Sequence, residues 1–196
     1  MVFLVDDDAL VLKIVSKQLR AHGFNVAVFP TCEEFLATYT PALSGCLVLD
    51  IAMPGCNGLE LQQILTERGS HLPIIFLTSS ADVPMCVQAM QRGAVDFFTK
   101  PVSYTQLCVA IRRALELALT TRQQRAERAA IRARIATLTP REREVMDHVA
   151  AGLPNKLIAA SLGTAEKTIK VHRARVMRKL HVVSVAALVR LVDKAE

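Results

Sequence analysis

No apolar run in this chain of 196 residues is long enough to cross a bilayer, and its N-terminus lacks a basic leader followed by an apolar core and a cleavage site. The expectation is a soluble, cytoplasmic protein. The five cysteines, Cys32, Cys46, Cys56, Cys86 and Cys108, are odd in number and widely spaced, which argues against a disulfide framework or a zinc site and for small core residues in a reducing compartment. Glycine and proline are missing from residues 104–136, so nothing there interrupts a helix. Lysine and arginine are scarce in the first 120 residues. Residues 121–196 hold 16 Lys and Arg against 7 Asp and Glu, net +9, whereas residues 1–120 hold 8 against 11, net −3. That change of sign directs the back half at a polyanion, nucleic acid foremost, and gives the front half another task. A hydrophobic fraction of 52% excludes disorder over most of the length, and the length itself suits one full core plus a smaller module.

Five short apolar runs, at residues 2–5, 26–29, 47–49, 74–77 and 95–98, alternate with helix-length segments such as residues 10–21, 59–67 and 83–91. Gly23, Gly69 and Gly93 stand where helix-ending glycines belong. Strands that are apolar on both faces and joined by crossover helices give an α/β fold, a parallel sheet between helix layers. In such sheets ligands bind beyond the carboxyl ends of the strands, where the strand order reverses. The first run ends in Asp6-Asp7-Asp8, the third in Asp50, the fourth in Thr78-Ser79 and the fifth in Thr99-Lys100-Pro101. Asp6, Asp7 and Asp50 repel one another unless a cation sits among them, and hard oxygen ligands suit Mg²⁺. A carboxylate so placed can attack phosphorus, with Mg²⁺ and Lys100 offsetting charge on the phosphoryl oxygens and the Thr78 hydroxyl bonding the product phosphate. Asp8 reads as a first-turn helix residue favoured by the macrodipole.

The motifs Val5-Asp6-Asp7-Asp8, Leu49-Asp50-Ile51-Ala52-Met53-Pro54-Gly55-Cys56-Asn57-Gly58, Leu77-Thr78-Ser79 and Gly93-Ala94-Val95-Asp96-Phe97-Phe98-Thr99-Lys100-Pro101 occur in this order. Together they resemble the receiver domain of bacterial two-component response regulators, a doubly wound, flavodoxin-like sheet of five strands, over residues 1–120. The resemblance implies that Asp50 accepts a phosphoryl group from a sensor histidine kinase, and that Asp6, Asp7, Asp50 and the backbone carbonyl of Ala52 bind Mg²⁺. It also implies that Thr78 and Phe97 form a switch pair, that Lys100 contacts the phosphate, and that the bond from Lys100 to Pro101 is cis. Phosphatases of the haloacid-dehalogenase type also use a strand-end aspartate, but they resemble Asp-x-Asp. Ala52 stands at the second position and removes the general acid that hydrolysis needs. A methyl group at 52 cannot orient a water, so the self-dephosphorylation rate is expected to depend on Ser80 and local solvent access.

Residues 104–136 read as one helix rich in Ala, Leu, Arg and Gln. Its first half carries an apolar stripe of Leu107, Ile111, Ala114, Leu115 and Ala118. Its second half presents Arg122, Arg125, Arg128, Arg132 and Arg134 with Glu127 as sole counter-charge, which predicts a solvated linker helix over residues 121–137 or, as the alternative, one that also touches DNA phosphates, and no tight coiled coil.

In residues 138–196, Thr139-Pro140-Arg141-Glu142 is a capping-box helix start, and the helix should end near Ala151-Gly152. Asn155 is expected to cap a short second helix with Ile158, Ala159 and Leu162, and Gly163 permits the next turn. A third helix over residues 166–180 buries Ile169, Val176 and Leu180. Its opposite face shows Lys167, Val171, Ala174 and Arg178, flanked by Lys170 and Arg175, a pattern suited to a helix lying in the major groove. Leu138-Thr139-Pro140-Arg141-Glu142, Gly152-Leu153-Pro154-Asn155-Lys156 and Lys167-Thr168-Ile169-Lys170-Val171-His172-Arg173 resemble the helix-turn-helix of the LuxR/FixJ class of transcription regulators. By that resemblance Lys170, Val171 and Ala174 face bases, while Asn155, Lys156, Lys167, Thr168, His172, Arg175 and Lys179 are candidate phosphate contacts; His172 lies toward the core edge of the wheel and suits a structural hydrogen bond equally well. Thr164-Ala165 departs from the family, which carries Ser as the cap of the third helix; Thr164 would have to take over one residue early. Ser184 begins a last helix with Val185, Leu188, Val189 and Val192 on one stripe, widened by Ala186, Ala187 and Leu191, and in the family this helix pairs two copies. The whole chain thus resembles a response regulator in which phosphorylation of Asp50 alters dimerisation and promoter binding. A sensor histidine kinase, double-stranded promoter DNA, a second copy of the chain and RNA polymerase are its expected partners. The alternative, DNA binding independent of phosphate with a vestigial Asp50, conflicts with the complete set of Asp6, Asp7, Asp50, Thr78 and Lys100.

Overall fold

The computed structural model describes residues 1–79 and 83–195. The chain divides into two compact units, residues 1–122 and residues 123–196. Among the described residues, none of the helices is long and apolar enough to cross a membrane.

The N-terminal unit is a parallel sheet of β1 (Val2–Val5), β2 (Val26–Phe29), β3 (Cys46–Leu49), β4 (Ile74–Thr78) and β5 (Asp96–Thr99) in the order β2-β1-β3-β4-β5. Alternate residues of a strand face opposite layers. Val2 and Leu4 pack with Val15, Leu19, Leu107 and Ile111, under α1 (Ala9–Ala21) and α5 (Tyr104–Ala136). Phe3 and Val5 pack with Phe35, Leu61, Leu65 and Ala89, under α2 (Cys32–Thr38), α3 (Gly58–Glu67) and α4 (Val83–Gln91). The central strands β1, β3 and β4 are buried on both faces, whereas the edge strand β2 keeps residues half-exposed. Apolar-on-both-faces sequence is what a parallel sheet with two helix layers requires.

Two details at strand ends matter for the site. β4 runs one residue further than the apolar run and takes in Thr78, which pairs in register with Thr99 of β5. Asp8 is the N-cap of α1 and not a first-turn residue: its backbone is extended, and its carboxylate accepts from the N–H groups of Leu10 at 2.8 Å and Val11 at 3.3 Å.

The C-terminal unit gathers the end of α5 with α6 (Pro140–Ala150), α7 (Asn155–Ser161), α8 (Glu166–Lys179) and α9 (Val185–Ala195). Its core contains Val145, Met146, Val149, Ile158, Ile169, Val176, Leu180 and Leu188. Three expectations need correction. Residues 121–137 are not a solvated linker throughout, because Ile131 and Ile135, one helical turn apart, are buried in this core. Leu191 does not widen an outer surface; it is buried. Asn155 does not cap α7. Pro154 occupies the cap position and its carbonyl accepts from the Ile158 N–H at 3.1 Å, so the helix starts one residue early and no side chain caps it. Thr139 and Glu142 do form the reciprocal capping box of α6, and the Ser184 hydroxyl accepts from the Ala187 N–H at 3.1 Å at the start of α9.

Candidate functional site

The strand order reverses between β1 and β3, and the residues that follow those strands, Asp6 and Asp50, face each other across the resulting crevice. Both are almost fully buried, while Asp7 is exposed. Carboxylate oxygens of Asp6, Asp7 and Asp50 lie within 4.8 Å of one another. Lys100, carried in by β5, places Nζ 2.6 Å from Asp6 Oδ2 and 3.2 Å from Asp50 Oδ2. The other oxygens are fixed by the backbone: Asp6 Oδ1 accepts from the Asp8 N–H at 3.1 Å, and Asp50 Oδ1 from the Ile51 N–H at 2.8 Å.

Burial raises the Asp6 carboxyl above the usual aspartate range, and the hydrogen bond and charge of Lys100 pull it back only in part. For Lys100, burial is the largest influence and acts downward, yet the hydrogen bond to Asp6 and the charges of Asp50 and Asp6 together lift its ammonium above the ordinary lysine value. Among the described residues one cation thus contacts two carboxylates of a three-carboxylate cluster. A surplus of hard, negatively charged oxygen donors is what a hard divalent cation such as Mg²⁺ takes. Ala52, the fourth expected ligand through its carbonyl, lies exposed in the loop after Asp50.

Gly58 sets the back wall. A Cβ at this position would collide with the Asp50 carbonyl, so only glycine lets the start of α3 close on the strand end. Thr78 is fully buried at the end of β4, and its carbonyl accepts from the Lys100 N–H at 2.7 Å. Phe97 is half-buried, its ring centroid 6.3 Å from that of Phe76. The peptide bond from Lys100 to Pro101 is cis. Ser80 lies outside the described residues.

In the C-terminal unit, Lys156 on α7 and Lys167, Thr168, Lys170, Val171, Ala174, Arg175 and Arg178 on α8 are exposed, while Ile169 and Val176 are buried. Lys170 Nζ lies 3.3 Å from Glu166 on the same helix. Other expected contacts are placed differently. The Asn155 side-chain Oδ1 accepts from Arg173 Nη1 at 3.0 Å, so sequence reasoning missed Arg173 as the group that orients it. His172 is half-buried, and its Nδ1 is enclosed with no hydrogen-bond partner among the described residues. Lys179 Nζ lies 2.6 Å from Glu142 Oε2 and 3.1 Å from the Thr137 carbonyl. At the start of α8, Ala165 is the cap residue and, among the described residues, no side chain caps the first turn, so Thr164 does not take over.

An acidic crevice without an output, or a groove-sized basic helix without an input, would each leave half of the chain unexplained; joined, they define a transcription regulator of the two-component response regulator class. Residues 2–112 match the response regulator receiver domain, and residues 136–192 match the bacterial regulatory proteins of the luxR family. The chain is 42% identical over 190 residues to the transcriptional regulatory protein FixJ of Rhizobium meliloti (strain 1021), covering 97% of this chain and 93% of FixJ. It is 39% identical over 193 residues to the response regulator protein TodT of Pseudomonas putida, covering 98% and 85%. The solved structure of the response regulator StyR superposes with a TM-score of 0.87 at 44% identity, over 98% of both chains. The chain belongs to the response regulators that join a receiver domain to a LuxR-type DNA-binding domain. Receivers generally bind Mg²⁺ at this acidic position, and the donor set described above fits that ion.

Proposed function

We propose that Asp50 accepts a phosphoryl group from a sensor histidine kinase, with Mg²⁺ held by Asp6, Asp7, Asp50 and the Ala52 carbonyl, and that this shifts dimerisation and promoter binding. The observation that carries the reading is the position of Lys100 Nζ in contact with both Asp6 and Asp50 while Asp7 completes a three-carboxylate cluster. In the transfer an Asp50 carboxylate oxygen bonds to phosphorus as the phosphorus–nitrogen bond of the donor phosphohistidine breaks. The imidazole leaves with that electron pair and takes up a proton. When bound, Mg²⁺ neutralises charge on the transferring oxygens. Lys100, already beside Asp50 Oδ2, exchanges part of that contact for a phosphoryl oxygen, and the Thr78 hydroxyl bonds another. Displacement of Thr78 draws the Phe97 ring inward and alters the surface of α4, β5 and the start of α5, which changes pairing between copies.

At the output, Lys170, Val171 and Ala174 face the base edges, while Lys156, Lys167, Thr168, Arg175 and Arg178 lie along the phosphates, with Asn155 held by Arg173 at the edge of that surface. Paired through α9, two copies meet half-sites about one helical turn apart. The setting is the cytoplasm, with RNA polymerase as the further partner. The test compares DNA binding and oligomeric state of the wild type and Asp50→Asn, each with a small phosphodonor and Mg²⁺. A response in the wild type that disappears in the variant supports the reading, and superimposable curves overturn it. Affinity for DNA should fall steeply with added salt for both proteins.

A further inference from the structure

The resemblance to the LuxR/FixJ class makes Lys179 a candidate phosphate contact, but its surroundings describe another task. Its ammonium is bonded to Glu142 Oε2 at 2.6 Å and to the Thr137 carbonyl at 3.1 Å. Glu142 is only 3% exposed. The same Oε2 also accepts from the Thr139 N–H at 2.9 Å, and the Glu142 N–H donates to Thr139 Oγ1 at 3.2 Å. One residue beyond Lys179, the Leu180 carbonyl at the C-cap of α8 accepts from Arg134 Nη1 at 3.3 Å. The corner between α5 and α6, from Arg134 to Glu142, therefore holds the C-terminal end of α8 from two directions. The opposite end of α8 has no capping side chain. To reach a DNA phosphate, Lys179 would have to abandon a buried carboxylate that has no other cation in contact with it among the described residues.

We propose that Lys179 is a positioning residue of the recognition helix, and that with Glu142 and Arg134 it clamps the C-terminal end of α8 so that Lys170, Val171 and Ala174 meet the groove at a fixed angle. The proposal rests on the DNA-facing role of α8 given above. Lys170 lies nine residues from Lys179, roughly 14 Å along the helix, so a tilt of a few degrees at the clamp moves it by about 1 Å and Ala174 by about half as much, enough to strain hydrogen bonds to bases. Glu142 is held down to about 2, first by the Lys179 hydrogen bond and then by the Thr139 N–H, in agreement with a pair that stays closed.

The experiment uses the full chain, a duplex selected by the wild type from a random-sequence pool, and the unselected pool as competitor. Lys179→Met should lower affinity for the selected duplex on the order of tenfold while leaving its salt slope and pool binding unchanged. Lys179→Arg should restore much of the loss. Weakening of both duplexes alike, with the salt slope reduced by about one unit, identifies a phosphate contact and overturns the proposal. So does wild-type behaviour of Lys179→Met. Should that variant not fold, lysine acylation of the wild type read by mass spectrometry decides. Lys179 should react slowly with and without DNA, while Lys167 and Lys170 become protected when DNA is added. Protection of Lys179 in step with them overturns the positioning role alone. Absence of protection at Lys167 and Lys170 overturns the DNA face of α8, and the positioning role with it.

Discussion

The acidic crevice of the N-terminal unit and the Glu142–Lys179 pair of the C-terminal unit use the same two kinds of charged group with opposite accounting. In the crevice one ammonium serves Asp6 and Asp50, Asp7 adds a third carboxylate within 4.8 Å of theirs, and burial keeps Asp6 above its ordinary range in spite of Lys100. At the corner of α5 and α6 one ammonium meets one carboxylate, a backbone N–H completes the set, and Glu142 is held at about 2. Both sites bury charge. Only the first leaves negative charge in surplus, and surplus buried charge is a store of affinity for a cation or an electrophile. Balanced charge holds helices together.

The contrast can be broken most forcefully at Glu142. Glu142→Ala strands the Lys179 ammonium and the Thr139 N–H, and since Lys179 is about one-third exposed the loss is expected to be about 2 to 3 kcal/mol, below the full figure for a buried pair. Urea unfolding, with hydrogen exchange across residues 137–180, checks it. A depressed carboxyl contributes stability above its ordinary value of 4.5 and loses it as pH falls towards about 2, so the gap between wild type and variant should close over that window. Next comes Gly58→Ala, where the added methyl group meets the Asp50 carbonyl. Stability of the N-terminal unit should drop by about 1 to 2 kcal/mol, and labelling by a small phosphodonor should slow. Asp50→Asn should act with the opposite sign: without metal the N-terminal unit gains about 1 kcal/mol because one of three crowded carboxylates is gone. Added Mg²⁺ should then raise the Tm of the wild type more than that of the variant. A loss of stability from Asp50→Asn in metal-free buffer would erase the distinction between the two sites. The smallest effect is expected from Ala165→Ser, which supplies the missing cap of α8 and should add about 0.5 to 1 kcal/mol to the C-terminal unit in thermal unfolding.

The parallel sheet and its strand-end residues were legible because their signals are local. An apolar run, a carboxylate at its end and a turn residue after it place Asp6, Asp50, Thr78 and Lys100 without knowledge of long-range contacts. The capping box of Thr139 and Glu142 is local in the same way. The partner of Lys179 was not legible, since 37 residues separate it from Glu142 and nothing in helical spacing joins them. Ile131 and Ile135 were hidden by the arginines around them, which gave the segment the composition of a solvated helix although two isoleucines one turn apart suffice to dock it. Leu153-Pro154-Asn155 allows two starts for α7. Packing of Ile158 accompanies the earlier one, with the proline at the cap, and that preference is invisible until the core exists.

The uncapped start of α8 carries a consequence in genetic terms. Alanine and serine codons differ by a single base, so one point mutation at position 165 would change the order of the recognition helix before it meets DNA without altering any residue assigned to a base. A helix whose first turn frays gives up conformational entropy on binding, and a cap would shift that cost into folding. Promoter affinity would then be adjustable separately from promoter choice, and the weak start of α8 leaves a lineage room to tighten its regulator without rewriting its operators.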